Sequence, residues 1–270
     1  SGRAGEAEAT YRRAIQLRPS DWLGYMTLGI FYTRQSRYPD AELAFGRATE
    51  LTPDNYIPYR SLGGVYHLMG RFDDAIRMTE KSASLKPSAG AFSNLATMYF
   101  FQSQYRQAVA MNEKAISLAA ENDANDYVLW GNLADSYRWT PELAEKAPDA
   151  YRRAIQAGQR HLAINLDNVR VLSLTAVYHA KLGENEQALE KLGRARWLAP
   201  ADATVGFKSL IIYELTGQRA RALAALKTVL VSGYSIDEIR REPELAQLRQ
   251  DPTCQRLLES GSSIPRGKRN

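Results

Sequence analysis

A single cysteine, Cys254, stands in 270 residues, which excludes an internal disulfide framework and a cysteine-rich zinc site. Long apolar runs are missing as well; the longest last only a few residues, too short to cross a membrane. No basic-then-apolar leader opens the sequence, and Ser1-Gly2 reads as an artificial edge rather than a native start. Nor is there a strong excess of one charge. Lys and Arg total 35 against 30 Asp and Glu, a net +5. Three of those positive charges, Arg266, Lys268 and Arg269, sit in a terminal stretch, and the signs are interspersed elsewhere, as in Glu184 and Glu186 near Lys181 and Lys191. A mixed solvated surface is the reading, not a nucleic-acid footprint. What is present is a globular balance: 44% hydrophobic and 24% charged residues argue against wholesale disorder. The length is large for one compact core, so two domains or a repeat array is expected. Cytoplasmic location is expected, or a soluble region of a larger protein.

The chain repeats itself. Tyr25-Met26-Thr27-Leu28-Gly29-Ile30-Phe31-Tyr32 returns as Tyr59 to Tyr66, as Phe92 to Tyr99 and as Trp130 to Tyr137. Each copy places an aromatic, then leucine, a small residue and tyrosine at spacings of three, one and three. Residues three and four apart share a helical face, so the aromatic, Leu and Tyr form one apolar stripe. Gly29, Gly63, Ala96 and Ala134 leave room for a second helix. That helix follows as Ala41, Phe45, Ala48 and Pro53, then Ala75, Thr79, Ser82 and Pro87, then Ala108, Asn112 and Ala115. Proline cannot continue a helix and ends the unit.

This pattern resembles the tetratricopeptide repeat (TPR): aromatic-x2-Leu-small-x2-Tyr on helix A and Ala-x3-aromatic-x2-Ala on helix B, with a closing proline. The resemblance implies an all-α fold, a right-handed superhelical solenoid of antiparallel helix pairs. About six repeats are expected over residues 21–234, starting near residues 22, 56, 89, 127, 169 and 203. Residues 1–20 read as a half repeat, a B helix (Ala7, Tyr11, Ala14, Pro19) without its A helix, as if taken from a longer chain. Repeat four carries eight surplus residues around Trp139–Pro148, read as a B helix about two turns longer that begins near Pro148 and leaves a ledge before repeat five. Residues 235–260 read as a helical cap, opened by the capping box Ser235-Ile236-Asp237-Glu238 and faced by Leu245, Leu248, Leu257 and Leu258. Residues 261–270 are expected to be a disordered tail.

Catalytic constellations are absent from the sequence. There is no phosphate-binding glycine loop and no dinucleotide fingerprint, and His67, His161 and His179 lack metal-ligand spacing. No cofactor and no metal are expected, and the chain reads as a non-enzyme. In the TPR family the concave face, lined mainly by helix A, binds peptide. Carrying repeat positions across places Arg60, Asn94, Asn132, Asp135 and Arg138 there, with Phe101 and Trp139 one turn deeper. Asn94 and Asn132 occupy equivalent sites and resemble the asparagine ladder that pairs with an extended peptide backbone, since an amide both donates and accepts. Arg60 and Arg138 suit carboxylates, and Phe101 and Trp139 suit apolar anchoring.

The run Gly233 to Leu245, with Leu248-Arg249-Gln250-Asp251-Pro252, is similar to the C-terminal end of bacterial multidomain signalling proteins. There a TPR array follows a serine/threonine kinase, adenylate cyclase or winged-helix regulator domain. The kinase signatures themselves are missing here. Three readings follow: a scaffold for a protein or peptide partner, a regulatory or self-associating module of a larger enzyme, and a pentatricopeptide-like RNA binder. The interspersed charge disfavours the last.

Overall fold

A computed structural model describes residues 2–120, 123, 125–232 and 234–262. The chain divides into two compact units between Ala119 and Ala120. Among the described residues all regular secondary structure is helical.

The first unit holds α1 (Gly2–Leu17), α2 (Trp22–Arg34), α3 (Tyr38–Leu51), α4 (Tyr56–Leu68), α5 (Phe72–Leu85), α6 (Ala89–Phe101) and α7 (Tyr105–Leu118). The second holds α8 (Asp126–Arg138), a 3-10 helix (Pro141–Lys146), α9 (Ala147–Ile164), α10 (Val169–Lys181), α11 (Asn185–Leu198), α12 (Ala203–Leu215) and α13 (Arg219–Val231). It closes with α14 (Ile236–Arg241), 3-10 turns at Pro243–Leu245 and Leu248–Gln250, and α15 (Pro252–Ser262). Consecutive helices pair, α2 with α3, α4 with α5, α6 with α7, α8 with α9, α10 with α11 and α12 with α13. The first of each pair is helix A and the second helix B.

Local chemistry starts and stops these helices on one beat. Asp21, Asn55, Ser88, Asn168 and Asp202 are the N-caps of α2, α4, α6, α10 and α12, and each side chain accepts a backbone N–H of the first turn at 2.9–3.2 Å. Such a cap satisfies a donor that the helix leaves without a partner. In five of the six pairs the turn from A to B passes through one left-handed residue, fifteenth in its repeat: Ser36, Gly70, Ser103, Gly183 and Gly217, with φ between 56° and 78°, while α8 joins α9 through the 3-10 helix. Only glycine takes this conformation without a steric penalty.

Packing within a pair depends on small residues. A Cβ at Gly29 would lie 2.5 Å from the Phe45 ring, and one at Gly63 would lie 2.6 Å from Thr79 Oγ1 and 3.2 Å from the Ala75 carbonyl. Opposite these glycines, Ala41, Ala48 and Ala75 are fully buried. In the first unit the closing tyrosine of the A motif also ties successive repeats. Tyr32 donates to Glu8 at 2.8 Å and Tyr66 donates to Glu42 at 3.0 Å. Arg37 reaches the same Glu8 at 2.6 Å, and Arg71 reaches Glu42 at 3.0 Å, each guanidinium lying over its tyrosine ring. The hydrogen bonds from Arg37 and Tyr32 hold the Glu8 carboxyl down at about 2.

Repeat four departs from the expected form. Helix α9 runs 18 residues against 14 for α3, α5, α7 and α11, about one turn longer rather than two. The remaining surplus winds into the 3-10 helix Pro141–Lys146, because Pro141 fits a first turn and Pro148 cannot sit deep inside α9. In the second unit, Ile239, Leu245, Leu248, Cys254 and Leu258 of the C-terminal segment are buried in one cluster with residues of α12 and α13, and Leu257 packs against it. Tyr234 stacks on Phe207 at 4.6 Å. The tail from residue 263 lies outside the described residues.

Gly63→Val should cost about 1–3 kcal/mol by overpacking the α4–α5 contact, read as a lower midpoint in thermal unfolding followed by circular dichroism. Ser36→Gly should act the other way. It relieves a left-handed serine at an exposed turn and should add roughly 0.5–1 kcal/mol in denaturant unfolding.

Candidate functional site

In the first unit each A helix turns one face to its B helix and leaves another uncovered. On α2 that second face carries Leu23, Thr27 and Ile30, all exposed. On α4 it carries Ile57, Ser61, Gly64 and Leu68, with Gly64 and Leu68 exposed. On α6 it carries Gly90, Asn94, Thr97 and Phe101, with Gly90 and Asn94 exposed. The spacings of three and four put each set on one stripe. Of the residues expected in a groove, Asn94 therefore lies on this free stripe with Phe101 half-buried at its end. Arg60 is also exposed, its guanidinium 5.6 Å from the Tyr56 ring centre. The exposed leucines and isoleucine were not singled out by the repeat motif, which marks only the packing face.

The second unit uses the equivalent positions differently. Asn132 is half-buried on α8. Asp135 accepts from Tyr151 Oη and from Lys181 Nζ, both at 2.5 Å. Arg138 donates through Nε to Glu244 at 2.9 Å and reaches the Lys181 carbonyl at 3.5 Å. Lys181 Nζ stands 3.8 Å from Glu244, and both side chains are only 5% exposed. Four elements thus meet in one ionic cluster: α8, α9, α10 and the turn at Pro243–Leu245. Lys181 occupies the thirteenth position of its repeat, the same as Phe101 and Trp139, and that equivalence was the available signal for it.

Electrostatics in the cluster follow from burial and proximity. Burial works against the Lys181 ammonium, but the Asp135, Glu244 and Glu242 carboxylates outweigh it and hold its pKa above the usual lysine value. Burial, with the Asp135 charge beside it, raises the Tyr151 hydroxyl well above the tyrosine range. Glu242 is pushed up to about 7, chiefly by burial, with the Lys181 charge opposing and Asp135 and Glu244 reinforcing the shift. A buried pair of this kind loses about 3–5 kcal/mol when one partner alone is removed, because the other charge stays behind uncompensated.

Beside the cluster is an open pocket of about 370 Å³, lined by Arg138, Trp139, Ala144, Ala147, Pro148, Tyr151, Lys181, Leu182 and Glu244. The surplus residues of repeat four supply one wall, where the sequence suggested a ledge. The histidines lie elsewhere. His67 packs edge-on to Phe72, His161 Nε2 is 3.1 Å from Asp126, and His179 Nδ1 is 2.5 Å from Glu184. Cys254 is buried, and its burial raises the thiol pKa. Among the described residues no group of three or more His, Cys, Asp or Glu is placed to hold a metal, and no helix is long and apolar enough to cross a membrane.

The Glu242 shift has a definite sign. Its folded-state pKa lies above the ordinary 4.5, so the folded chain binds the extra proton, and that stabilisation is complete below about 4.5 and lost as pH rises through about 7. Glu242→Gln should therefore flatten the dependence of the melting temperature between pH 5.5 and pH 8. An unchanged slope in the variant would assign it to another group.

Comparison with known proteins agrees with this geometry. A tetratricopeptide repeat family model matches residues 1–56 and 32–89, and a second tetratricopeptide repeat model matches residues 88–121. No curated protein matches the sequence. Among solved structures, a tetratricopeptide repeat protein from Parabacteroides merdae superposes with a TM-score of 0.67 at 15% identity, covering 93% of each chain. The anaphase-promoting complex assembly Cut9-Hcn1 gives 0.62 at 14% identity over 97% of this chain, which spans 46% of the matched one. PilW, a type IV pilus biogenesis factor, gives 0.55 at 15% identity, covering 83% of this chain and 96% of its own. Residues 1–121 carry tetratricopeptide repeats, and the chain shares the all-helical fold of TPR proteins.

Proposed function

We propose that this protein is a non-catalytic interaction module that binds a peptide segment or partner protein along the free faces of its A helices. The observation that carries the reading is the uncovered stripe on α2, α4 and α6, where Leu23, Ile30, Leu68 and Asn94 are exposed. Large apolar side chains held on rigid helices and interleaved with small polar ones suit an extended segment: the apolar groups bury area, and the amide pairs with the backbone. In the first unit the contacting residues are Arg60, Asn94 and Phe101. In the second they are Asn132, Asp135, Arg138 and Trp139, of which Asp135 and Arg138 act from within the ionic cluster. TPR folds generally mediate protein–protein interaction, and the type IV pilus factor and Cut9-Hcn1 likenesses agree with such a role.

A second reading makes the module a regulatory or self-associating part of a larger bacterial signalling enzyme. Its support is the sequence of the C-terminal segment around Tyr234–Pro252, whose Glu244 is built into the ionic cluster of the second unit.

The test is affinity capture with the wild-type chain and with an Asn94→Ala/Asn132→Ala variant that melts at the same temperature. Loss of at least one partner, by about tenfold or more, is expected. Retention of every partner would contradict the assignment of the A-helix faces.

A further inference from the structure

The pocket beside Trp139 exists because repeat four carries extra residues. Ala144 of the 3-10 helix and Ala147 and Pro148 of the first turn of α9 form one wall, with Trp139 and Leu182. Its volume of about 370 Å³ falls in the range of small-ligand sites, which run from about 300 to 1,000 Å³. The walls are mostly apolar and the floor is ionic, so an occupant needs a flat or branched apolar body and one polar end.

The floor decides the sign of that end. Three charged side chains line the pocket, two positive (Arg138, Lys181) and one negative (Glu244). Glu244 is 5% exposed and already takes the Nε hydrogen bond of Arg138. Lys181 is equally buried and is held by Asp135. Arg138 is different. Its side chain is 36% exposed, and of the five N–H donors of a guanidinium it spends one on Glu244 and one on the Lys181 carbonyl. The other three have no acceptor among the described residues, and they belong to the pocket's most accessible charge. A carboxylate is the group that matches a guanidinium edge in shape and sign.

We infer that the repeat-four pocket binds a carboxylate carried on an aromatic or bulky apolar group, with the ring against Trp139 and the carboxylate on Arg138. The shared chemistry is met by a free aromatic acid or by the C-terminal aromatic residue of a partner chain. The pocket borrows Arg138 and Trp139 from the interaction face proposed above, but it is defined by the insertion, and Ala144 belongs to it alone.

Isothermal titration of the full chain with phenylacetate, benzylamine, the tripeptide Gly-Gly-Phe and its C-terminal amide tests this. Phenylacetate or Gly-Gly-Phe should bind, and benzylamine and the amide should bind at least tenfold more weakly. Tighter binding of Gly-Gly-Phe than of phenylacetate assigns the site to a chain end, and the reverse assigns it to a free acid. Arg138→Gln should weaken the acid at least tenfold. Ala144→Phe fills the pocket without touching the ionic cluster, and should abolish binding with the melting temperature retained. Benzylamine binding as well as phenylacetate, both acids failing to bind at millimolar concentration, or undiminished affinity in Ala144→Phe would each overturn the inference. Because Ala144→Phe leaves Asn94 and Asn132 in place, failure here is separable from failure of the A-helix reading.

Discussion

Two helix backbones can approach closely only where one of them lacks a side chain of any size, and the repeats rest on that constraint. Gly29 and Gly63 sit against Phe45 and Thr79 with no space for a further carbon. Once that contact is set, the aromatic, leucine and tyrosine of helix A must face its partner. The opposite stripe, Leu23 to Ile30 on α2 and Gly90 to Asn94 on α6, is then left to solvent. The same constraint that builds each pair therefore exposes the surface a partner can use. Neighbouring repeats share the burial, as no single pair could cover its own stripe.

The two units solve the free face in different ways. In the first, the charged residues fasten successive repeats through Glu8 and Glu42, leaving apolar and amide groups on the A stripe. In the second, charge moves to that position: Asp135, Arg138 and Lys181 lie on A helices, Asp135 pairing with Lys181 and Glu244 from the C-terminal segment pairing with Arg138. The cap thus contributes more than apolar cover for α12 and α13. It supplies a carboxylate without which two buried or half-buried cations would face each other across a pocket.

Helix pairing was legible in the sequence for a physical reason. Periods of 33 and 34 residues, small residues at fixed spacing, Asp, Asn or Ser before each A helix and proline after α3, α5 and α11 are all local signals. The A helices α10 and α12 likewise begin at Val169 and Ala203, where Asn168 and Asp202 cap them. The insertion was legible as an excess of length but not as a shape, since proline spacing does not distinguish a longer α-helix from a 3-10 turn followed by a shorter one. The fates of Asp135 and Arg138 were not legible. Their partners Tyr151, Lys181 and Glu244 stand 16, 46 and 106 residues away along the chain, and no periodic pattern links them. Exposure of Leu23 and Ile30 was hidden for the opposite reason, because an apolar residue on an amphipathic helix reads as core until its neighbours are known.

The central claim is that partners meet the A helices and not the B helices, although B helices also expose large apolar side chains at Leu43 and Trp197. A photo-crosslinking amino acid placed in turn at positions 61 and 94 on A helices, and at 43 and 197 on B helices, separates the two surfaces in one experiment. The account predicts partner adducts from positions 61 and 94, with 43 and 197 silent. Adducts confined to 43 and 197 would contradict it.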